Sequence, residues 1–171
     1  MAEASSTSRS VPRARSTSVR PPPFQAFLDG HREEVYRFLT GFVGPHDVDD
    51  AFQETFLSAL RAYPSLRNGT NLKSWVLTIA YRKAMDSHRG RGRRAVPVED
   101  LPEQPSRSSH AEDHALWDLV QALPDKQRAA IVQRYANGLP YKEIAMILEC
   151  SEEAARQNVR EGLKKLKGMM T

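Results

Sequence analysis

The chain has 171 residues, 40% hydrophobic and 27% charged, with a formal net charge of +4 and a pI near 9.4. That length and apolar content suffice for one ordinary domain or two small ones. They come without an apolar run of membrane-spanning length, a zinc-spaced Cys/His cluster or a second cysteine to pair with Cys150, so membrane insertion, a structural metal and an internal disulfide are not expected.

Residues 1–23 are rich in Ser, Thr, Arg and Pro. Arg9, Arg13, Arg15 and Arg20 stand against Glu3 alone, so this segment holds +3 of the chain's +4. It lacks the apolar content to repay ordering and is read as a disordered basic tail. An Arg- and Ser-rich, acid-poor start also suits an organelle transit peptide, the alternative reading.

From Phe24 to about Arg94 the pattern is helical, broken at "TGFVGPHD" and "YPSLRNGTN". The clearest helix spans about 47–63. Val48, Ala51, Phe52, Thr55, Phe56, Ala59, Leu60 and Tyr63 recur there at three- and four-residue spacing as a core face. Asp50, Gln53, Glu54, Leu57 and Arg61 form an opposite, largely acidic and polar stripe, which on spacing alone is either a solvated outer face or a contact for a basic partner. A further helix, about 72–89, carries Trp75, Val76, Ile79 and Ala80 early and Arg82 and Lys83 late, then runs into "SHRGRGRR". It is anchored at one end and offers cations to phosphate at the other. Trp75, on the apolar face, is read as a core anchor.

Residues 95–111 contain three prolines and no helical period, and acidic residues dominate the stretch. This segment is a linker. Helical pattern returns at 112–171. There Gly138 suits a left-handed cap, Pro140 a helix start, Ile144, Ala145 and Leu148 an apolar face, and Ser151 an N-cap after the corner "ECS". Ala155, Val159, Gly162 and Leu166 make the packing stripe of the last helix, while Glu153, Arg156, Gln157, Arg160, Lys164 and Lys167 face outward. The expected fold is all-α, two small helical domains joined by a flexible linker. The second pair of helices reads either as a plain helical hairpin or as a helix-turn-helix whose second helix enters the major groove. The residue types suit the latter: Arg pairs with guanine, Gln with adenine, Lys with phosphate.

Three segments carry a family resemblance: "DVDDAFQETFLSALRAY", "NLKSWVLTIAYRKAMDSHRGRGRR" and "LPDKQRAAIVQRYANGLPYKEIAMILECS". Together, in order, they resemble a bacterial RNA polymerase sigma factor of the two-domain, sigma-70-like extracytoplasmic-function group. The resemblance implies a region 2 bundle at 24–94 and a region 4 helix-turn-helix at 112–171. It implies that Asp50, Gln53 and Glu54 meet the clamp helices of the largest subunit of core RNA polymerase. The loop 65–71, with Asn68, Gly69 and Asn71, would capture an extruded base of the minus-10 element, and Lys73, Arg82, Lys83 and Arg89 would hold the adjacent backbone. Ser151, Glu153, Arg156, Gln157, Arg160 and Lys164 would meet the minus-35 element.

Promoter DNA and core polymerase are thus the implied partners, with a bacterial, cytoplasmic and nucleoid-associated location; members of the group are often held inactive by an anti-sigma protein, which this sequence does not identify. The acidic linker resembles the family's connector through the polymerase, where negative charge mimics nucleic acid; a plain solvated linker is the other reading. No cofactor and no enzymatic activity are expected, since no nucleophile-base pair, Gly-rich phosphate loop or metal set is present. A helix-turn-helix regulator that is not a sigma subunit is the rival reading. The sequence departs from the family's habit at Arg82, where Asn is frequent, and at Glu161, where a cation is frequent, so promoter preference does not carry over. Glu152 and Glu153, at the first turn of the last helix, complement its dipole.

Overall fold

The structure, a computed structural model, describes residues 19–93 and 111–171, with side chains described over 19–90 and 115–171. The basic residues before Val19 and the linker 95–110 lie outside the described residues. Among the described residues every regular element is a helix: α1 (Phe24–Val43), α2 (Val48–Ala62), a short 3-10 turn (Tyr63–Ser65), α3 (Leu72–Arg93), α4 (Ala111–Gln121), α5 (Asp125–Tyr135), α6 (Tyr141–Leu148) and α7 (Glu152–Met169). No described helix is long and apolar enough to cross a membrane.

Helices α1, α2 and α3 form the first bundle. Val35, Phe38, Leu39 and Phe42 line one face of α1 at three- and four-residue spacing and are fully buried. Burying each such side chain contributes about 1.5–3 kcal/mol. Helix α1 starts where Pro23, with extended ψ, cannot continue a helix backwards, and stops at Gly44, whose φ of 84° reverses the chain. Asp49 and Asp50 in the first turn of α2 and Arg61 in its last complement the helix dipole. Val48, Ala51, Thr55, Phe56 and Ala59 are buried as the periodicity requires, and Phe52 and Tyr63 are half-buried, but Leu60, expected on the core face, is 49% exposed. At about 100° per residue it falls on the margin of the stripe that α1 and α3 cover.

The second bundle packs α5 on α7 and α6. Gly162 lets α7 approach α5 closely: a Cβ there would lie 2.4 Å from Ile131 Cδ1 and 3.2 Å from Cγ1. The two bundles also dock on one another, α1 against α4 and α5, and α3 against α6. Gly41 sits at the first seam, where an added Cβ would lie 2.8 and 3.0 Å from the two Val132 methyl carbons and 3.0 Å from Trp117 Cζ3. The Gly41 carbonyl accepts from Gln121 Nε2 at 2.7 Å, and the Glu34 carbonyl accepts from Asn137 Nδ2 at 3.1 Å. Arg128 of α5, 2% exposed, stacks 4.4 Å over the Phe42 ring of α1 and donates to Asp125 at 2.7 Å and the Gln121 carbonyl at 2.8 Å. Burial lowers the pKa of its guanidinium, with Asp125 acting against that.

Val19–Pro23 belong to the segment expected to be disordered, yet they lie against the first bundle. The Val19 carbonyl accepts from Gly69 N–H at 3.0 Å, and the Pro22 carbonyl accepts from the Tyr63 hydroxyl. Composition marks a segment that cannot build its own core, but three successive prolines remove much of the entropy that docking would otherwise cost.

Candidate nucleic-acid and polymerase interfaces

The corner between α6 and α7 is built as the residue types require. Gly138 has φ +64°. Pro140 sits at the N-cap of α6 with ψ 154°. Glu149, in the left-handed conformation at φ 54°, ends α6 while its N–H bonds back to the helix. Ser151 Oγ then accepts from Ala154 N–H at 3.1 Å, so one of the orphan donors of α7 is satisfied and the helix starts at a fixed residue. Ala155, Val159, Gly162 and Leu166 are buried, all four as expected, so Glu153, Arg156, Gln157, Arg160, Lys164 and Lys167 share the exposed face.

Those outward residues are held by neighbours that the spacing did not single out. Arg156 donates to Glu152 at 2.5 Å and lies 5.2 Å from the centroid of the Tyr141 ring, which Arg134 also approaches at 4.5 Å. Gln157 donates to Glu161 at 2.8 Å and accepts from Arg160 at 3.5 Å. Glu161, where the family often places a cation, also accepts from the buried Gln127 at 3.1 Å. It therefore links the exposed face of α7 to α5. Cys150 at the corner is half-buried, and burial raises its thiol pKa, which disfavours a reactive thiolate.

On the first bundle, Asp50, Gln53 and Glu54 are exposed side by side on α2. The loop 66–71 turns at Gly69, φ +80°, with Thr70 Oγ1 donating to the Arg67 carbonyl at 2.7 Å. Asn68 is exposed. The Asn71 Oδ1 accepts from Ser74 N–H at 3.2 Å, so this side chain caps α3. Gly69 directs its N–H to the Val19 carbonyl, as described above. Lys73 lies 4.0 Å from Glu34. Lys83 is half-buried and Arg89 exposed. Arg82 does not stand free beside them: its guanidinium pairs with Glu149 at the corner of the second bundle. Trp75 is half-buried, 5.6 Å from Phe27 and 6.3 Å from Tyr63, within the aromatic cluster under the loop.

Sequence reasoning missed Glu149, Tyr141, Gln127 and the Val19–Pro23 strap. The one local signal was "RPPP", a stiff stretch immediately before α1.

A helix-turn-helix with a polar, partly basic outward face, beside a first bundle that exposes an acidic patch on α2, is the arrangement of a two-domain DNA-binding protein. Residues 27–94 match the family described as Sigma-70 region 2, and residues 113–166 match Sigma-70, region 4. The ECF RNA polymerase sigma factor SigD of Mycobacterium tuberculosis is 33% identical over 155 residues, covering 82% of this chain and 73% of that protein. The ECF RNA polymerase sigma-E factor of Haemophilus influenzae is 28% identical over 155 residues, covering 80% and 81%. Among solved structures, the sigma factor RpoE in complex with the anti-sigma factor NepR from Bartonella quintana shares the fold at a TM-score of 0.73 with 24% identity, covering 86% of this chain and 96% of that one. CnrH, solved in complex with the cytosolic domain of CnrY, shares the fold at a TM-score of 0.68 with 21% identity over 86% of each chain.

The chain belongs to the extracytoplasmic-function (ECF) RNA polymerase sigma factors. As such it is a non-enzymatic polymerase subunit that binds core RNA polymerase and DNA and directs promoter-specific initiation.

Proposed function

We propose a residue-level division of labour for that activity. Asp50, Gln53 and Glu54 on α2 dock the basic clamp helices of the largest polymerase subunit, where complementary charge sets register and encounter rate. The α7 face of Ser151, Glu153, Arg156, Gln157, Arg160 and Lys164 reads the minus-35 element: Arg156 and Gln157 on base edges, Lys164 on phosphate. Asn68, with Gly69 and Asn71 shaping the loop, takes an extruded minus-10 base, and Lys73, Arg82, Lys83 and Arg89 hold the neighbouring backbone. The observation carrying this reading is the single exposed face of α7 behind its Ser151 cap.

In the closed arrangement Arg82 is held by Glu149, so on this reading its phosphate contact forms when the bundles separate. An anti-sigma partner is part of the proposal. The sigma factor RpoE of Bartonella quintana, which shares the fold, was solved with the anti-sigma factor NepR, and the exposed apolar side chains Leu116, Trp117 and Tyr135 offer a helix a place to pack. Work on DNA and polymerase in a bacterium places the protein in the cytoplasm, at the nucleoid.

Run-off transcription with core polymerase tests the assignment. Asp50→Lys with Glu54→Lys abolishes polymerase capture and transcripts while leaving DNA binding by the second bundle intact. Capture that survives the reversal would remove Asp50 and Glu54 from the polymerase interface.

A further inference from the structure

A cleft of about 550 Å³ lies between the Val19–Pro23 strap and the end of α2 with its following loop. Strap and loop are tied together at its edges. The Gly69 N–H reaches the Val19 carbonyl at 3.0 Å, and the Tyr63 hydroxyl reaches the Pro22 carbonyl. Tyr63 is itself fixed by Phe24 and Phe27, each 5.2 Å away between ring centroids. The strap therefore lies on a rigid aromatic base, and its prolines fix φ and add no N–H that would need a partner.

The chemistry of the lining is specific in kind. Flat apolar surfaces come from Pro21, Pro64 and the Tyr63 ring, a carboxamide with donor and acceptor comes from Asn68, and a guanidinium comes from Arg20. None of the described residues lining the cleft is acidic. An apolar slot with one amide and one cation fits a planar group that has a hydrogen-bonding edge and a nearby negative charge. A nucleotide of a single strand has all three features.

We propose that the Val19–Pro23 strap is the second wall of the nucleotide seat whose first wall is the loop 65–71. In that seat Arg20 takes the phosphate of the extruded nucleotide while Asn68 meets the base edge. The inference rests on the minus-10 reading of this loop and adds a site on a segment outside the Sigma-70 region 2 match, which starts at residue 27. The Gly69 N–H is not a base donor on this account, because it carries the strap.

The test uses holoenzyme and a fork-junction DNA carrying a single-stranded minus-10 overhang, its sequence obtained by selection from a random pool. A fully duplex minus-35 fragment serves as the control. Arg20→Ala weakens binding to the fork roughly tenfold, the size of one charge-assisted contact. It lowers the log–log salt slope by about 0.7, the single-strand value for one phosphate, and leaves the duplex control unchanged. Arg20→Lys restores the slope. Pro21→Gly with Pro22→Gly, which loosens the strap without moving the charge, weakens the fork as well. Removal of residues 1–18 leaves fork binding within twofold after correction for salt.

Asn68→Ala separates the two claims. If Asn68→Ala weakens the fork while the Arg20 and proline variants do not, the strap proposal falls and the loop reading stands. If Asn68→Ala is also silent, both fall. Tighter fork binding by the Arg20 or proline variants would show that the strap competes with the strand, and an Arg20-sized loss on removing residues 1–18 alone would assign the charge effect to the tail; either overturns the proposal.

Discussion

Gly41→Ala probes whether the two bundles are held by close packing at one seam. The new methyl carbon would lie 2.8 Å from one Val132 methyl and 3.0 Å from the other, against roughly 3.5–4.0 Å for carbon atoms in ordinary contact. Val132 is 2% exposed and β-branched, so it has little rotamer freedom with which to withdraw. Helices α1 and α5 must therefore part by several tenths of an ångström, an overpacking cost of about 1–3 kcal/mol.

Replacing a helical glycine gains about 1 kcal/mol, but that gain sits within α1 and holds whether or not the bundles are docked, so it does not offset the loss at the seam. The docking equilibrium shifts toward the separated form by roughly 5- to 150-fold. Small-angle scattering of the full chain should show a larger radius of gyration, and hydrogen exchange should rise at the facing turns of α1 and α5 while α2 and α7 stay protected. Val132→Ala in the same chain should restore the closed form by removing both methyls, a coupling that a double-mutant cycle reads directly. Unchanged scattering in Gly41→Ala, with both bundles folded, would refute the packing argument.

Ser151→Ala removes the cap of α7 and should cost about 1 kcal/mol, seen as a lower urea midpoint, with a parallel loss of DNA binding as the first turn frays. His31 has a pKa below its ordinary 6.5, chiefly from burial, with Glu34 opposing and Lys73 adding to the effect. Its contribution to stability is therefore complete above pH 6.5 and lost as pH falls through the depressed folded value, a slope that His31→Gln should flatten in denaturant titrations at several pH values. Glu153→Ala should either raise affinity for all DNA or relax preference at one base pair, read by selection from a random duplex pool; neither change would confine Glu153 to stabilising the helix dipole.

Helix register was legible because it is written in local spacing. The packing stripe of α7 and most of that of α2 follow from a period near 3.6, and the corner from Gly138, Pro140 and Ser151, each a residue type with one dominant backbone use. Leu60 marks the limit of that reasoning. Periodicity locates the centre of an apolar face, whereas its width depends on how much of the helix its neighbours cover. The pairing of Arg82 with Glu149, residues 67 positions apart, had no such signal, since any of several acids satisfied the same charge logic. Gly41 was equally silent: a glycine within a helical pattern reads as a weak position until the helix crossing it is known. The strap escaped because composition describes what a segment can do alone, and Val19–Pro23 gain their order from Tyr63 and Gly69.

The acids on α7 gain a different meaning from their contacts. Two of the three glutamates on that helix are bonded to residues proposed to read bases: Glu152 to Arg156, and Glu161 to Gln157. An exposed pair four residues apart on a helix contributes about 0.3–0.5 kcal/mol, whereas a bidentate contact to the correct base discriminates by about 1–3 kcal/mol. Arg156 can therefore leave Glu152 for a matching guanine at a net gain, while a wrong base returns too little to break the pair. Glu161 acts differently, because the buried Gln127 holds its second oxygen and ties Gln157 to α5. A glutamate in place of a cation thus trades a nonspecific phosphate contact for a fixed carboxamide. Binding by this helix should accordingly show a shallower salt dependence and a sharper preference at the Gln157 position than a recognition helix with Lys or Arg at position 161.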